Sequence, residues 1–418
     1  MKAYLISIGD ELLIGQTINT NVAYIGSALS DINIEVIESS VVGDNMEAIL
    51  HELDKASSMA DLIVITGGLG PTHDDITRSA IVKYFKTELV QSKEVLEDIQ
   101  QFFSKRGRTV TELNASQALV PKIAIPIRNK RGTAPGMWIE KNKKIYVVMP
   151  GVPYEMKGMM EDFVIPRLSE MTKGNGNVIK KLILQTTGIP ESTLFERLGN
   201  LDELLQGAKM AFLPNQYGVK LRITVTDSND KDAANRLNEI EQKIRTKVGR
   251  YIFARGEETL EEVIAKILSE RGLTLSVAES CTGGEICTRL TNVSGSSKYF
   301  ERGIVTYSNA AKVELLKVNE DTIAQVGAVS PEVAMQMAEG VRAVSGTDIG
   351  ISTTGILGPT GATTNKPVGL VYIGYCDEKV CTAKKFLFGD DRILNKQRAT
   401  QAALEMLRRQ LLGISDEE

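Results

Sequence analysis

Residues 61–68, Asp61-Leu-Ile-Val-Ile-Thr-Gly-Gly68, decide the fold of the first part of this chain. A short apolar run closed by two glycines is typical of a buried β-strand. The run is preceded by the amphipathic stretch 45–58, NMEAILHELDKASS, and followed by 76–86, ITRSAIVKYFK. A strand between two helices is the repeating unit of parallel α/β sheets, so this stretch predicts that class.

The same alternation extends on both sides of residues 61–68. KAYLISIG (2–9), INIEVIESSVVGD (32–44) and IYVVMPG (145–151) have the pattern of strands, and residues 21–30 that of a helix. Right-handed crossovers place the carboxyl ends of parallel strands on one edge of the sheet, so residues that follow each strand are expected to meet there.

The rest of the chain contains two further segments that differ in their sequence pattern. After the Gly/Asn-rich stretch TKGNGN (172–177), a small α+β module is predicted. Its strands are 178–188, 219–227 and 249–254, and its helices are 191–206 and 231–248. Alternation then resumes, with predicted strands at 273–280, 302–308, 348–355 and 369–376 and predicted helices at 258–272, 283–293 and 392–412. We therefore expect an α/β protein with three domains, 1–170, 171–255 and 256–418.

Composition excludes several classes of function. The 418 residues carry a net charge of −4, with 42% hydrophobic and 24% charged residues, and the sequence pI is about 5.6. The chain has no excess of positive charge to bind a nucleic-acid backbone. Direct nucleic-acid binding, and above all binding that weakens with added salt, is therefore not expected. No segment resembles a signal peptide or a membrane span, so a cytoplasmic location with no membrane partner is expected. Four cysteines without a C-x-x-C pair are expected to be reduced thiols.

Carboxylates and glycines cluster after the predicted strands of the first domain. Gly67 and Gly68 let a backbone approach a phosphate, and hard oxygen ligands suit Mg²⁺ or Mn²⁺, which would bridge carboxylate to pyrophosphate. The acidic residues are Asp10, Glu11, Asp44, Asp74 and Asp75. Each of these acids alone is equally well explained as a helix cap, but a cap does not need an adjacent pair of acids. Asn19 and Asn21 are expected to cap a helix, contact a ribose, or both.

In the last domain, strand 273–280 ends in Ser280 and turns into a helix. A serine at such an elbow is a candidate nucleophile near helix N–H groups, and it is equally a candidate N-cap. The only histidines are His51 and His73, so a nucleophile here would need a lysine or tyrosine base.

Two residues of the next strand–helix unit can supply that base. Tyr307 ends a predicted strand, Asn309 is expected to cap the helix AAKVELLKV (310–318), and Lys312 lies in its first turn. The helix dipole and burial would both favour the neutral amine, whereas an ordinary helix lysine is solvated. Cys281 is the competing nucleophile, or a small packed side chain.

The first domain resembles a known family through GDELLIGQTINTN (9–21), VVGDN (41–45), TGGLGPTHDDIT (66–77) and MPGVPYEM (149–156). These motifs are similar to the N-terminal domain of the CinA family, which is itself similar to three-layer molybdopterin-binding domains. The resemblance implies metal-dependent ADP-ribose pyrophosphatase activity. It places Asp10, Glu11 and Asp75 near a divalent metal, and Gly67, Gly68 and Thr72 along the phosphates.

The last domain resembles the C-terminal domain of the same family through AESCTGG (278–284), ERGIVTYSN (301–309) with Lys312, GAVS (327–330), TGILGP (354–359), KPVG (366–369) and GDDR (389–392). That domain is a nicotinamide mononucleotide deamidase, so the resemblance implies hydrolysis of nicotinamide mononucleotide to nicotinic acid mononucleotide and ammonia, with no cofactor. Ser280 would be the nucleophile, and Lys312 and Tyr307 would handle protons. Substrate contacts would come from Thr282, Gly283, Thr354 and Gly355, with Arg392 or Arg398 on the phosphate. Leu357 is bulkier than the alanine usual in the family and is expected to alter the pocket.

The middle module resembles the KH-type subdomain of the family. It has no basic GXXG loop of the kind that clamps single-stranded nucleic acid, so a spacer or a homodimer contact is expected. Two other classes of function stay open: a molybdopterin-handling protein, and a non-enzymatic scaffold linked to competence or DNA damage.

Overall fold

The computed structural model describes residues 1–70, 75–172 and 178–415. The chain divides into two compact units, Met1–Ile179 and Lys180–Glu418. The second unit contains both the middle module and the C-terminal domain of the sequence analysis.

Within its described residues, the first unit has eight strands and eight α-helices. The strands are β1 Lys2–Ile8, β2 Glu35–Val42, β3 Leu62–Thr66, β4 Leu89–Gln91, β5 Leu119–Pro121, β6 Ile125–Ile127, β7 Gly136–Lys141 and β8 Lys144–Met149. The helices are α1 Asp10–Leu13, α2 Thr20–Asp31, α3 Met46–Met59, α4 Thr77–Phe85, α5 Lys93–Ser104, α6 Glu112–Ala115, α7 Pro153–Met159 and α8 Ile165–Thr172. A π-helical turn, Met160–Val164, joins α7 to α8.

Six of these strands form a mixed sheet in the order β2-β1-β3-β8-β7-β6. The first four are parallel, as predicted, and β7 and β6 are antiparallel to their neighbours. Successive side chains of a strand point to opposite faces. In β1, Tyr4 and Ile6 therefore enter a core beneath α3 and α4, whereas Ala3 and Leu5 enter a second core beneath α2 and α7. A sheet buried on both faces is a three-layer domain, which confirms the predicted fold.

The region between residues 87 and 143 holds four strands that the sequence analysis did not predict. Two of them, β5 and β6, are three residues long and contain a proline, so neither shows the period-two apolar pattern that identifies a strand. Their pairing depends on tertiary contacts, which a local pattern does not record.

The middle module of the second unit is a four-stranded sheet in the order β10-β11-β9-β12 with helices beside it. Its strands are β9 Val178–Thr186, β10 Lys209–Asn215, β11 Gly218–Asp227 and β12 Ile252–Arg255, and its helices are α9 Glu191–Leu198, α10 Leu201–Leu205 and α11 Asp230–Val248. The prediction of one helix over 191–206 is wrong, because Gly199 adopts φ +73° and Asn200 caps a new helix. Strand β10 was not predicted.

The C-terminal part is a five-stranded sheet in the order β14-β13-β15-β16-β17. Its strands are β13 Leu275–Glu279, β14 Phe300–Val305, β15 Ile349–Gly355, β16 Leu370–Cys376 and β17 Cys381–Leu387. Its helices are α12 Leu260–Arg271, α13 Glu285–Thr291, α14 Asn309–Leu316, α15 Glu320–Val326, α16 Pro331–Ser345 and α17 Arg392–Leu412. Strands β14, β13 and β15 are parallel, and β16 and β17 are antiparallel.

Helix α17 connects this sheet to the middle module. Gln401 donates a hydrogen bond from Nε2 to Thr187 Oγ1 at 3.0 Å, and Arg408 donates to the carbonyl of Arg250 at 2.9 Å. Both contacts lie within the second unit. Helix α17 thus packs in the core of the C-terminal part and also makes hydrogen bonds to the middle module.

Two cysteines contradict the expectation of reduced thiols. Cys376 and Cys381 face each other across the β16–β17 hairpin, and this register brings their sulfur atoms together as a disulfide. Cys281 and Cys287 are free thiols. Within the part of the chain that the structure describes, no helix combines the length and apolar character needed to cross a membrane.

Gly67, at the end of β3, has a backbone that no other residue can adopt without cost. Its φ is +109°, and a Cβ built there would lie 2.0 Å from the Ile8 carbonyl oxygen of the neighbouring strand. Glycine is therefore required by the packing of β3 against β1, whatever binds there.

Gly67→Ala is expected to lower the free energy of unfolding of the first unit by about 2 kcal/mol or more, because strain and a backbone clash add. Gly26→Ala in α2 is the matched control, since a Cβ there meets nothing within 4 Å. That change should instead raise stability by about 0.5–1 kcal/mol. Thermal unfolding measures both, and equal midpoints for the two variants would contradict the packing argument.

Candidate functional site

Ser280 is the first residue after β13, which lies between β14 and β15 in the C-terminal sheet. Its backbone N–H donates to the Thr353 carbonyl of β15 at 3.0 Å, which holds the residue against the neighbouring strand end. The side chain is 8% exposed. Its Oγ lies 3.1 Å from Nζ of Lys312, so the structure brings these two predicted residues into contact.

Lys312 is a buried amine on α14, and only 1% of the residue is exposed. Its Nζ also donates to the carbonyls of Thr306 at 2.8 Å and Tyr307 at 3.4 Å. Burial lowers the pKa of Lys312 below its ordinary value, because desolvation penalises the charged form. A neutral amine has two N–H groups and one lone pair. In that form the two carbonyls would take the N–H groups, and the lone pair would be directed to the Ser280 hydroxyl.

Helix α14 begins one residue earlier than expected. Ser308, rather than Asn309, is the N-cap, and its Oγ accepts a hydrogen bond from the N–H of Ala311. The prediction for Asn309 is therefore wrong, because a serine directly after β14 already provides the extended backbone and hydroxyl that a cap needs.

Glu279, which the sequence analysis did not identify, has the capping role that was considered there for Ser280. Its buried carboxylate accepts hydrogen bonds from the backbone N–H groups of Gly284 (2.8 Å), Ile286 (3.3 Å) and Cys287 (2.9 Å) at the start of α13. The alternative that Ser280 is an N-cap is therefore wrong. An acidic residue as the last position of a buried strand was the available signal, because a carboxylate there requires several donors.

Cys281 belongs to the apolar core of the C-terminal part, together with Leu357 and Ile286. Burial raises the pKa of its thiol to about 12, so little thiolate exists near neutral pH. This environment favours the packing role of Cys281 over the competing nucleophile role. Leu357 is likewise 3% exposed, so its bulk fills the core.

The other predicted substrate contacts are divided between the surface and the interior. Arg392, the first residue of α17, donates to the Gly358 carbonyl at 2.7 Å and to the Tyr307 hydroxyl at 3.1 Å. The Tyr307 ring is 65% exposed, and the contact of this residue with Lys312 is made by its carbonyl. Arg398 lines a different cavity, next to the middle module.

Thr282 and Thr354 are buried, and both hydroxyls have partners within the protein. Thr282 Oγ1 lies 2.7 Å from Thr353 Oγ1, and Thr354 Oγ1 donates to the Ala328 carbonyl at 2.8 Å. Gly283 has φ +58° in the turn after Ser280, and Gly355 ends β15. The two glycines contribute only backbone atoms beside the turn. The two threonines use their hydroxyls for hydrogen bonds within the protein.

In the first unit, the carboxyl ends of β1 and β3 open onto a cavity of about 880 Å³. The cavity wall includes the predicted residues Asp10, Glu11, Asn19, Asp44, Gly67, Gly68 and Asp75. Predicted residues Thr72 and Asp74 lie outside the described residues. The strand-end rule for open α/β sheets thus places a cavity where the sequence analysis expected a ligand.

Asp10 and Asp44, which both line the cavity, are joined by two reciprocal hydrogen bonds from backbone to carboxylate. The Asp10 N–H donates to Asp44 Oδ2 at 3.1 Å, and the Asp44 N–H donates to Asp10 Oδ1 at 3.2 Å. The pKa of Asp44 is raised, first by burial and also by the charges of Asp10, Glu11 and Asp75. Concentrated negative charge is the environment that a bound cation relieves.

The donor chemistry of this cavity fits a hard divalent cation, because carboxylate oxygens without nitrogen or sulfur are the ligands that Mg²⁺ prefers. No three of these carboxylates have oxygen atoms within 4.8 Å of one another among the described residues. A cation would thus take one or two protein ligands and fill its remaining positions with water or phosphate, as Mg²⁺ commonly does.

Asn19 and three further polar residues complete the cavity wall. Asn19 caps α2 through Val22 N–H and donates to Ser7 Oγ at 2.8 Å, so both groups of its amide are used within the fold. Asn21, Gln117 and Glu155 also line the cavity. Burial raises the pKa of Glu155, and Asn129 donates a hydrogen bond to its carboxylate at 2.7 Å. Gln117 comes from the unpredicted region after α6 and could not be anticipated.

Family models match all three parts of the chain. Residues 4–170 match a probable molybdopterin binding domain, 182–254 the damage-inducible protein CinA KH domain, and 257–411 the CinA C-terminal domain. A CinA-like protein of Salinibacter ruber is 45% identical over 413 residues, which cover 98% of this chain and all of that protein. The chain belongs to the CinA family. A putative competence-damage inducible protein of Caldicellulosiruptor saccharolyticus is 44% identical over 413 residues, or 99% of this chain and all of the relative.

A solved structure matches part of the chain. The competence/damage inducible protein CihA from Agrobacterium tumefaciens is 39% identical and covers 36% of this chain and 92% of its own, with a TM-score of 0.35.

The buried Glu279 carboxylate generates a stability prediction for the C-terminal part. Glu279→Ala is expected to lower the free energy of unfolding by about 2–4 kcal/mol, because three N–H groups at the start of α13 lose a charged acceptor. Glu279→Gln should recover part of the loss, since an amide oxygen still accepts. Glu301→Ala, an exposed change on β14, is the control and should stay within about 0.5 kcal/mol of wild type. Denaturant titration distinguishes these variants, and an unaffected Glu279→Ala protein would remove the assigned role.

Proposed function

We propose that the C-terminal part hydrolyses the carboxamide of nicotinamide mononucleotide to the carboxylate, releasing ammonia. The observation that carries this proposal is the 3.1 Å contact between Ser280 Oγ and the buried amine of Lys312. A serine whose hydroxyl faces a neutral amine is equipped for nucleophilic attack, because the amine can accept the proton as the new bond forms.

The reaction would proceed in two halves. Ser280 Oγ attacks the carboxamide carbon and its proton passes to Lys312 Nζ. The lysine then donates that proton to the leaving nitrogen, so ammonia departs and an acyl-serine remains. In the second half a water molecule loses a proton to Lys312 and attacks the ester carbon, which releases the pyridine carboxylate and restores the Ser280 hydroxyl.

The turn after Ser280 supports the charge that develops on the carbonyl oxygen. Glu279 already takes three N–H groups of α13, whereas the N–H groups of Thr282 and Gly283 make no hydrogen bond within the described part of the chain. We assign these two donors to the oxyanion. The substrate phosphate would pair with Arg392, whose guanidinium is already oriented by Gly358 and Tyr307.

A second activity is proposed for the first unit, namely metal-dependent cleavage of the ADP-ribose pyrophosphate. The observation that favours it is the acid-lined cavity of about 880 Å³ at the strand ends. Asp10 and Asp44, with Asp75 beside them, would hold a divalent cation, which would neutralise pyrophosphate charge and activate water when bound. Backbone at Gly67 and Gly68 would lie along the phosphates. The cation is required because these acids alone would repel an anionic substrate.

Binding of a molybdopterin in the same cavity is the competing candidate, and it is favoured by the family match over residues 4–170. Because a fold supports many reactions, this match does not choose between pterin binding and pyrophosphate cleavage. Incubation of the purified protein with ADP-ribose and divalent metal separates the two. A homodimer and a cytoplasmic location, with small-molecule nucleotides as partners, complete the proposal.

Ser280→Ala and Lys312→Ala are each expected to reduce the rate of deamidation by about 10²–10⁴-fold, because one removes the nucleophile and the other its base. Cys281→Ala should keep most of the activity. Release of ammonia from nicotinamide mononucleotide is the measurement. A Cys281→Ala protein that is inactive beside an active Ser280→Ala protein would reverse the assignment of the nucleophile.

The pH dependence tests the role of Lys312 separately. The active form is the neutral amine, and burial lowers the pKa of Lys312. The deamidation rate should therefore rise with pH through that lowered pKa and level off above it, well before the range of an ordinary lysine. A rate that falls as pH increases between about 7 and 10 would contradict a lysine base.

Asp44→Asn is expected to abolish ADP-ribose cleavage and to leave deamidation unchanged, since it removes one carboxylate charge of the first unit while keeping the side-chain shape. Asp54→Asn on the exposed face of α3 is the matched control. Activity assays with and without a chelator provide the measurement. Undiminished cleavage in excess chelator would eliminate the metal from the proposal.

A further inference from the structure

One end of the acid-lined cavity in the first unit is used neither by the proposed cation nor by the phosphates. The strand order β2-β1-β3-β8 arranges the cavity wall. Asp44 and Asp10 follow β2 and β1, Gly67 and Gly68 follow β3, and Glu155 lies beyond β8 in the first turn of α7. Neighbouring strands are about 4.8 Å apart, so the end of β8 lies about 10 Å from that of β1. The Glu155 end is therefore distinct from the cation end.

Glu155 is a half-buried carboxylate that is held by a neutral group. Asn129 donates from Nδ2 to Glu155 Oε2 at 2.7 Å and to the Ala134 carbonyl at 2.9 Å. A Cβ added at Gly132 would lie 2.2 Å from Glu155 Cδ, so the loop before β7 is shaped around this side chain. Among the described residues no cation pairs with Glu155. Its carboxylate is therefore positioned within the fold but is not neutralised there.

Two further acceptors of the same cavity lack donors. Asn21 is 8% exposed and Gln117 is 2% exposed, and both line the cavity. Asn21 donates from Nδ2 to the carbonyl of Gly151, just after β8, at 2.7 Å, which fixes its amide near Glu155. Within the described part of the chain, Asn21 Oδ1 and Gln117 Oε1 are buried and accept no hydrogen bond. A buried oxygen without a donor costs free energy, which a ligand that supplies donors recovers.

These three acceptors restrict the chemistry of the group that binds at this end. A phosphate has no donors to offer and is repelled by the Glu155 carboxylate. A planar base or pterin would be expected to stack on aromatic rings, but none of the described residues that line the cavity is Phe, Tyr or Trp. The vicinal hydroxyls of a ribose present two O–H donors on an uncharged, non-planar group. A ribose therefore fits this end better than the other parts of a nucleotide.

Given the pyrophosphate chemistry proposed for the first unit, on which this subsite depends, we propose that Glu155 and Asn21 bind the 2- and 3-hydroxyl groups of a phosphorylated ribose. Gln117 supplies a third acceptor from the opposite segment of the chain. One strand spacing, about 5 Å, separates the end of β8 from the glycine turn after β3, which matches the reach from the 5-phosphate of a ribose to its diol. Glu155 is thus a specificity-determining residue that distinguishes ribose from deoxyribose.

The test compares ribose 5-phosphate with 2-deoxyribose 5-phosphate, which lacks one of the two hydroxyls. Isothermal titration of the full-length protein with Mg²⁺ present should give about tenfold or more weaker binding of the deoxy sugar, as expected for the loss of a hydrogen bond to a charged acceptor. Glu155→Gln keeps the side-chain shape and an oxygen for Asn129, but it should bring the affinity ratio close to one. Glu97→Gln, an exposed change on α5 away from the cavity, should keep the wild-type ratio. Thermal unfolding checks that both variants are folded.

An assay of ADP-ribose cleavage with the same proteins separates this subsite from the reaction. A ratio that is lost only in Glu155→Gln supports the subsite even where ADP-ribose is not cleaved, and in that case the proposed reaction alone fails. Equal binding of the two sugar phosphates by wild type, or an unchanged preference in Glu155→Gln, would overturn the subsite whether or not cleavage occurs. Binding of a pterin that is tighter than that of ribose 5-phosphate and is lost in Glu155→Gln would overturn it as well.

Discussion

The arrangement of the C-terminal part depends on one buried lysine. An ammonium group confined among two carbonyls and a hydroxyl would lose most of its hydration, and the cost is avoided when the amine is neutral. Burial lowers the pKa of Lys312, and Nζ is held by its contacts with Ser280 Oγ and with the carbonyls of Thr306 and Tyr307. The end of β14, the start of α14 and the end of β13 must therefore meet at this nitrogen. The parallel order β14-β13-β15 brings them together at one edge of the sheet.

Much of the fold follows from local pattern. The parallel strands of both α/β sheets and several helices, among them α3, α11 and α17, were predicted, because buried strands and amphipathic helices have characteristic periods in the sequence. Helices α5 and α16 were not predicted. Strands β4 to β7, β10 and β17 were not predicted. Strands β4, β5 and β6 are three residues long, and β5, β6 and β10 contain a proline, so these four show no clear strand period. The break at Gly199 and the disulfide between Cys376 and Cys381 were also not predicted. One depends on a single left-handed backbone conformation, and the other on the register of a hairpin that had not been foreseen.

The candidate sites divide in a similar way. Ser280 and Lys312 could be named from the sequence because the absence of histidine after His73 leaves few possible bases. Glu279 was not named, although its place as the last residue of a buried strand was a signal that it needs several donors. Resemblance to the CinA family correctly indicated the family, whereas the roles of Thr282 and Thr354 depend on which way their hydroxyls point. Backbone geometry determines that direction, and a motif does not record it.

Helix α17 makes two contacts whose spacing is fixed. Arg392, at its first residue, holds Tyr307, and Gln401 holds Thr187 of the middle module. A helix rises about 1.5 Å per residue and resists stretching, so these anchor points stay about 14 Å apart along the axis. Helix α17 therefore links the middle module to Arg392, which contacts Tyr307, at a fixed distance. We therefore expect that a substitution which displaces Thr187 also changes the position of Arg392 and its contact with Tyr307.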